Sequence, residues 1–367
     1  MKNAAKLAAK VSRESHVTVQ NGRGTILTVN EDVSLMSWAQ CWGSCSAVLD
    51  PRALTKVLTS DATLQDRGAV VEVRTAGRSI TLDTLGDEYY EWTPMTFTGG
   101  VFDRLKLLKA LEYCTVAMAR HQDDDQIRGL NVQTTPQGIR LWAGECGREH
   151  TCTIDSTVAP ALPHDINMFV SPQGVAVLKA LLKVKVETVG LGFVDGLVAQ
   201  IGNNILVLSD ITDELAEEIE NSADFVLEQA NEIIVPTDTV DVSAAAIRRA
   251  VKLCRDVSHS CDTVWHLSDD LLISTDSRES NCDERLELSH AVTPACFWYS
   301  GDFWLDALAG FEGEVCRIAF GPKGMAYLQD PTAPGYLAVL NPQRQEHRRT
   351  VGGFQHRRPQ ETTQYDW

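Results

Sequence analysis

Two groups of side chains in this sequence have types and spacing that could do chemistry. Cys146, His150 and Cys152 fall at alternate positions of the run AGECGREHTC, and Asp123, Asp124 and Asp125 stand together in HQDDDQIRG. Two thiolates and an imidazole are donors for zinc, and clustered carboxylates are donors for magnesium. Zinc would need a fourth ligand. The strand alternation that puts the three donors on one face also puts Arg148 there, and its cation repels a metal. Three adjacent aspartates on a tight loop point in different directions, as solvated turn residues do. No Ser/His/Asp order, phosphate-cradling glycine loop or nucleophile elbow accompanies either group. The expectation is therefore no metal, no cofactor and no catalytic residue, with the stretch forming a hairpin. An enzyme organised around Cys146 and His150 is the rival reading, decided by metal analysis of the purified protein.

The surrounding chain has the composition of an ordinary globular protein. Its 367 residues suffice for two to four domains. No run approaches the roughly 18 uncharged apolar residues of a membrane span, and the most apolar region, 175–205, is interrupted by Lys179, Lys183, Lys185, Glu187 and Asp195. The opening MKNAAKLAAKVSRES has a basic start with no apolar segment behind it, so a cytoplasmic protein is expected. The ten cysteines contain no CxxC pair; the closest are Cys41 and Cys45, Cys146 and Cys152, and Cys254 and Cys261. Reduced thiols, mostly buried as small hydrophobes, follow.

A pattern of short helix, valine-rich strand, turn and further strand begins at Asp50, Ser171 and Ser300, at intervals of about 120 and about 130 residues. A companion helix-plus-strands unit precedes each, starting at Asn3, Gly99 and Asp241. Six such units pair into three domains. Val71, Val73, Ile80 and Leu82 alternate with Glu72, Arg74, Thr81 and Asp83, as in antiparallel sheets with one wet face. The expected class is α+β, with antiparallel sheet and helices packed on one face.

The net charge of −17 at first argues against a nucleic-acid partner. Its distribution reverses that reading. Lys2, Lys6, Lys10 and Arg13 recur at helical spacing in the first helix, Arg52 and Lys56 in the second, and Arg104, Lys106 and Lys109 in the third. Lys179 and Lys183 follow in the fourth, and Arg248, Arg249, Lys252 and Arg255 in the fifth. Counted with Asp103, these fifteen cations carry about +14, which leaves the rest near −31. Any one of them could be the solvated face of an amphipathic helix. Five of one sign in an acidic chain point to a surface facing a polyanion, with phosphate contacts that are sequence-independent and salt-sensitive. The sixth helix, with Asp302 and Asp306, breaks the pattern.

In the stretches MARHQDD, IRG, AGECGRE, MTFTGGVFDRL and GYLAVLNPQR the sequence resembles the bacterial DNA polymerase III β subunit, the sliding clamp, as a divergent or phage-encoded member. Residues 1–344 carry the resemblance. MARHQDD, IRG at 127–129 and AGECGRE at 143–149 stand at the spacing of the family's A-H-Q-D, L-x-G and A-T-D-G-H-R-L segments. MTFTGGVFDRL resembles the opening of its middle domain, and GYLAVLNPQR its final strand, with Pro342 and Arg344 matching. The resemblance implies a three-domain DNA-clamp fold in which helices line a ring and sheets lie outside. It implies domains at 1–93 (shortened), 94–212 and 237–345, an acidic insertion and linker at 213–236, and a flexible basic tail at 346–367. It further implies a ring-shaped homodimer around double-stranded DNA, without chemistry of its own, tethering DNA polymerase and served by a clamp loader. Partner peptides would dock in a pocket lined by Ile127, Ala143, Arg148, Pro236, Val339, Leu340, Pro342 and Arg344. The motif departs from the family at Gly144, Glu145, Cys146, Gly147 and Glu149, and at Asn341, which puts the usual partner peptide in question. The alternative is a clamp-fold scaffold that binds replication proteins without encircling DNA. In the tail, QYDW at 364–367 resembles a degenerate clamp-binding peptide.

Overall fold

The computed structural model describes residues 1–86, 99–118, 129–145, 147–158, 162–163, 166–212, 239–258, 262–275, 282–321 and 324–343. Six helices are found among them: α1 (Lys2–Val11), α2 (Pro51–Val57), α3 (Arg104–Thr115), α4 (Pro172–Leu181), α5 (Ala244–Ser258) and α6 (Gly301–Ala309). Each is followed by strands, as the six-unit pattern predicts. The chain divides into two compact units, one of Met1–Leu111, Gly129–Arg140 and Ile154–Ala216, the other of Glu112–Arg128, Leu141–Thr153 and Glu217–Trp367.

Local chemistry sets the helix starts. Asp50 precedes Pro51 and accepts from the Arg52 N–H at 2.7 Å, and Ser171 precedes Pro172 and accepts from the Gly174 N–H at 3.2 Å. Asp103 and Ser243 do the same for α3 and α5, accepting from the N–H groups of Lys106 and Ala246. Each satisfies a donor that the first helical turn leaves without a partner, and proline at the first position has no N–H to lose.

In the first unit eleven strands form one sheet. In order they are 78–83, 70–75, 63–66, 42–49, 15–20, 23–29, 33–40, 204–208, 197–201, 188–193 and 99–103. Asn21 and Gly22, at φ 51° and 76°, make the two-residue turn that returns Ser15–Gln20 as Arg23–Val29. One pairing in this otherwise antiparallel sheet is parallel. Trp42–Leu49 and Thr63–Asp66 run parallel, because α2 crosses between them and brings the chain back in the same direction. Ala4, Ala5 and Ala8 of α1 join Leu54 of α2 over Val17, Ile26, Leu64, Val71 and Val73 to make one buried cluster of this unit.

The second unit holds two sheets. Arg148–Asp155 pairs with Tyr336–Leu340, followed by Ala326–Gln329, Val315–Phe320 and Thr239–Ser243. Asp283–Glu287, Asp270–Ser274, Asp262–Leu267 and Ala295–Ser300 form the other. Trp265 stacks on Trp304 of α6 at 3.7 Å between ring centroids, and Tyr299 packs edge-on to both. Of the eight described cysteines all are reduced and six are buried.

Candidate nucleic-acid interface and docking strands

In the first unit α1 packs against both α2 and α4, so the three helices form a layer on the sheet. Within α1, Ala4, Ala5, Ala8 and Val11 are buried and Lys2, Lys6 and Lys10 are exposed, on opposite sides of the helix. Arg52 and Lys56 are exposed on α2, away from buried Leu54. The join between α1 and α4 is specific. Gln173 Nε2 donates to the Lys10 and Val11 carbonyls at 2.9 and 3.0 Å, satisfying the C-terminal end of α1. Asn30 Nδ2 donates to Gln173 Oε1 at 2.9 Å and to the Val11 carbonyl at 3.1 Å. Nothing in residue spacing announces Gln173 or Asn30 as the parts that align the basic helices.

Arg104 is a different kind of residue from its basic neighbours. Its Nε donates to the Val186 carbonyl at 2.6 Å and its Nη1 to the Leu182 carbonyl at 2.8 Å, capping the end of α4 from the first residue of α3. Lys106 on α3 is exposed, while Lys109 and Lys179 are partly covered. Two residues assigned to helices lie beyond them. Ser12 is extended and ends α1 before Arg13, and α4 ends at Leu181 before Lys183; both cations are nevertheless exposed.

In the second unit Arg248 of α5 repeats the device of Arg104. Its Nη2 donates to the Leu308 carbonyl and, at 3.2 Å, to that of Phe311, capping the end of α6. Arg255 pairs with Asp302 of α6 at 3.1 Å. Arg249 and Lys252 are exposed. Three kinds of cation thus sit among the fifteen: exposed ones, partly covered ones, and the helix-capping Arg104 and Arg248.

Of the expected pocket residues, Ile127, Pro236 and Arg344 lie outside the described residues, as do the aspartates 123–125, Cys146, the 213–236 segment and the tail. The hairpin is formed, with strands Gly138–Glu145 and Arg148–Asp155. Arg148 stands opposite Leu340 and Glu149 opposite Val339 in the adjoining strand; Ala143, Arg148, Val339 and Leu340 are all buried, and Pro342 is half-buried. Arg148 is enclosed by groups that sequence reasoning missed. Its Nη2 meets Glu145 at 2.5 Å, its Nη1 meets Asp306, and its guanidinium lies over the Phe303 ring. The signal was present in the two acids that make α6 the exception among the helices, since Asp302 and Asp306 each engage an arginine.

His150 is equally internal. Its ring stacks on Tyr113 at 4.6 Å and its Nδ1 bonds the Tyr113 carbonyl at 2.9 Å. Burial lowers its pKa to about 4, so the ring is neutral at pH 7. Among the described residues no three His, Cys, Asp or Glu side chains are grouped to hold a metal ion. No described helix is long and apolar enough to cross a membrane.

No protein-family model and no curated protein matches this sequence. Solved structures do. The DNA polymerase III subunit β of Pseudomonas aeruginosa superposes with TM-score 0.78 at 16% identity, covering 94% of this chain and 97% of that one. The β subunit of Thermotoga maritima DNA polymerase III gives 0.74 at 16% identity, covering 94% and 96%. The β clamp of Caulobacter crescentus gives 0.75 at 15% identity, covering 93% and 98%. The chain has the α+β fold of these sliding clamps over nearly its whole length.

Proposed function

We propose, from this clamp fold, that the chain is a DNA sliding clamp: a ring-forming homodimer that encircles duplex DNA and tethers DNA polymerase and other replication proteins. The observation that carries the reading is the helix layer of the first unit, which turns Lys2, Lys6, Lys10, Arg52 and Lys56 away from the sheet in a chain of net charge −17. Exposed lysines without an aromatic or hydrogen-bonding reader suit phosphate contact that carries no sequence information. Weak contact of that kind lets a ring slide while topology prevents its loss.

On this reading 1–93, 94–212 and 237–345 are the clamp domains, 213–236 links the last two, and 346–367 is a basic tail. The chain works in the bacterial cytoplasm without catalysis of its own, and a clamp loader opens the ring. Two strands that end their sheets among the described residues, Arg78–Asp83 and Asp283–Glu287, offer open edges for a head-to-tail contact between copies. Polymerase docks at the strands around Arg148 and Leu340. Because Arg148 is held by Glu145 and Asp306, the partner peptide meets Phe303, Asp306 and Pro342 rather than a guanidinium.

Retention on DNA tests the reading. The chain, loaded with its cognate loader onto nicked circles and washed in high salt, should stay bound and be released when the circle is cut. Equal retention on linear and circular DNA would instead identify a clamp-fold scaffold that binds without encircling.

A further inference from the structure

Two thiols meet beneath α5 in the second unit. Cys254 lies on the buried face of the helix and is fully enclosed, whereas Cys282, which leads into the strand Asp283–Glu287, is partly exposed. After burial itself, the neighbouring Cys282 thiol does most to raise the Cys254 pKa. Cys254 Sγ also lies 3.9 Å from the Cys282 carbonyl oxygen and 3.7 Å from that of Ile273. Both partners are fixed. Cys282 donates its N–H to Thr275 Oγ1 at 3.0 Å and accepts from the Thr275 N–H at 3.0 Å, and Cys254 is held within a fifteen-residue helix.

We propose that Cys254 and Cys282 form an oxidation site, a dithiol that closes to an intramolecular disulfide when the protein meets a peroxide. The chemistry divides by exposure. Cys282 gives up its proton and its sulfur attacks one peroxide oxygen; the O–O bond breaks, the departing hydroxide takes that proton as water, and a sulfenic acid is left on Cys282. Cys254 sulfur then attacks Cys282 sulfur; the S–S bond forms, the S–O bond breaks, and the departing hydroxide takes the Cys254 proton as a second water. Two thiols lose two electrons and two protons, and one hydrogen peroxide becomes two waters. Burial, with Cys282, Glu284 and Asp283 beside it, pushes the Cys254 thiol up to about 12, which assigns the first attack to Cys282. Proximity then lets a poorly ionised thiol resolve the sulfenic acid before a second peroxide reaches it.

The bond would fasten α5, which presents Arg249 and Lys252, to the terminal strand of the four-stranded sheet. The test treats the reduced full-length chain with hydrogen peroxide, alkylates the remaining thiols and maps peptides by mass spectrometry without reductant. A peptide pair linked through Cys254 and Cys282 should be the dominant disulfide and should disappear on reduction. In Cys254→Ser, dimedone should trap a sulfenic acid on Cys282. In Cys282→Ser, Cys254 should stay unoxidised and be alkylated only after unfolding, with circular dichroism confirming that each variant is folded. Wild-type Cys282 accumulating as sulfenic or sulfinic acid without joining Cys254, or joining a different cysteine, overturns the proposal.

Discussion

Arg148 lays its guanidinium over the Phe303 ring, 4.6 Å from the ring centre, while its side chain is only 1% exposed. Two carboxylates, Glu145 and Asp306, complete the enclosure. Removing the cation would leave two acids facing each other with no counter-charge. Arg148→Met is therefore expected to lose roughly 3 to 5 kcal/mol of stability, as for other broken buried pairs. Arg148→Lys should recover little, because an ammonium can neither fork to both carboxylates nor stack on the ring. Urea unfolding would read both variants. Adding Glu145→Gln and Asp306→Asn to Arg148→Met should restore part of the midpoint; no recovery would mean that packing rather than charge holds the site.

His150 makes the protein acid-sensitive in a defined window. In the unfolded chain it titrates near 6.5, whereas the native ring, enclosed against Tyr113, resists protonation until about pH 4. Above 6.5 both states are neutral and the native state has its full stability. As pH falls from 6.5 towards 4 the unfolded chain takes up a proton that the native state refuses, and stability declines. The shift corresponds to roughly 3 kcal/mol at the bottom of the window. Unfolding midpoints measured from pH 7 to pH 4 should show a slope that His150→Gln flattens, whatever the variant does to stability at pH 7. An unchanged slope would assign the acid sensitivity to other groups.

The helices and their polarity were legible because each depends on neighbours in sequence. Asp50-Pro51 and Ser171-Pro172 announce helix starts, and the lysines of α1 recur at the helical period. What spacing does not record is where a side chain ends. Arg104 and Arg248 have the same spacing as exposed cations, yet each caps a second helix, at Leu182 and at Leu308, far away in sequence. Arg13 and Lys183 continue their periods but fall past the helix ends. The parallel pair around α2 was likewise hidden, since alternation along one strand is the same whichever way its neighbour runs. Arg148 alternates with His150 along its strand, but its acids come from the end of the preceding strand and from α6.

Gly43 shows how closely that parallel pair is built. Its φ is +115°, and a Cβ there would sit 1.9 Å from the Leu64 carbonyl oxygen of the paired strand. No rotamer relieves a clash between backbone atoms, and the φ itself is strained for any L side chain. Gly43→Ala should lose on the order of 3 kcal/mol or more and loosen the pairing of Trp42–Leu49 with Thr63–Asp66. Hydrogen exchange is the direct measurement: amides of 63–66 should exchange faster in the variant. Wild-type protection there would show that the strands part and re-pair at little cost.

The basic face of α1 can be removed without disturbing what lies beneath it. Lys2, Lys6 and Lys10 are exposed, while Ala4, Ala5, Ala8 and Val11 do the packing, and glutamine has nearly the helix propensity of lysine. The triple change to glutamine should leave the unfolding midpoint within about 0.5 kcal/mol of wild type. Its effect belongs to DNA. Every phosphate that a lysine no longer neutralises lowers the slope of log K against log salt by about 0.9, so the variant's slope should be shallower by roughly 3 if all three lysines touch the duplex. Weakening should be uniform across sequences, as expected of side chains that read no base. Titration of labelled duplex between low and moderate salt measures the slope directly. A triple variant with the wild-type slope would show that the first helix faces no phosphate, and the clamp reading would lose the surface on which it chiefly rests.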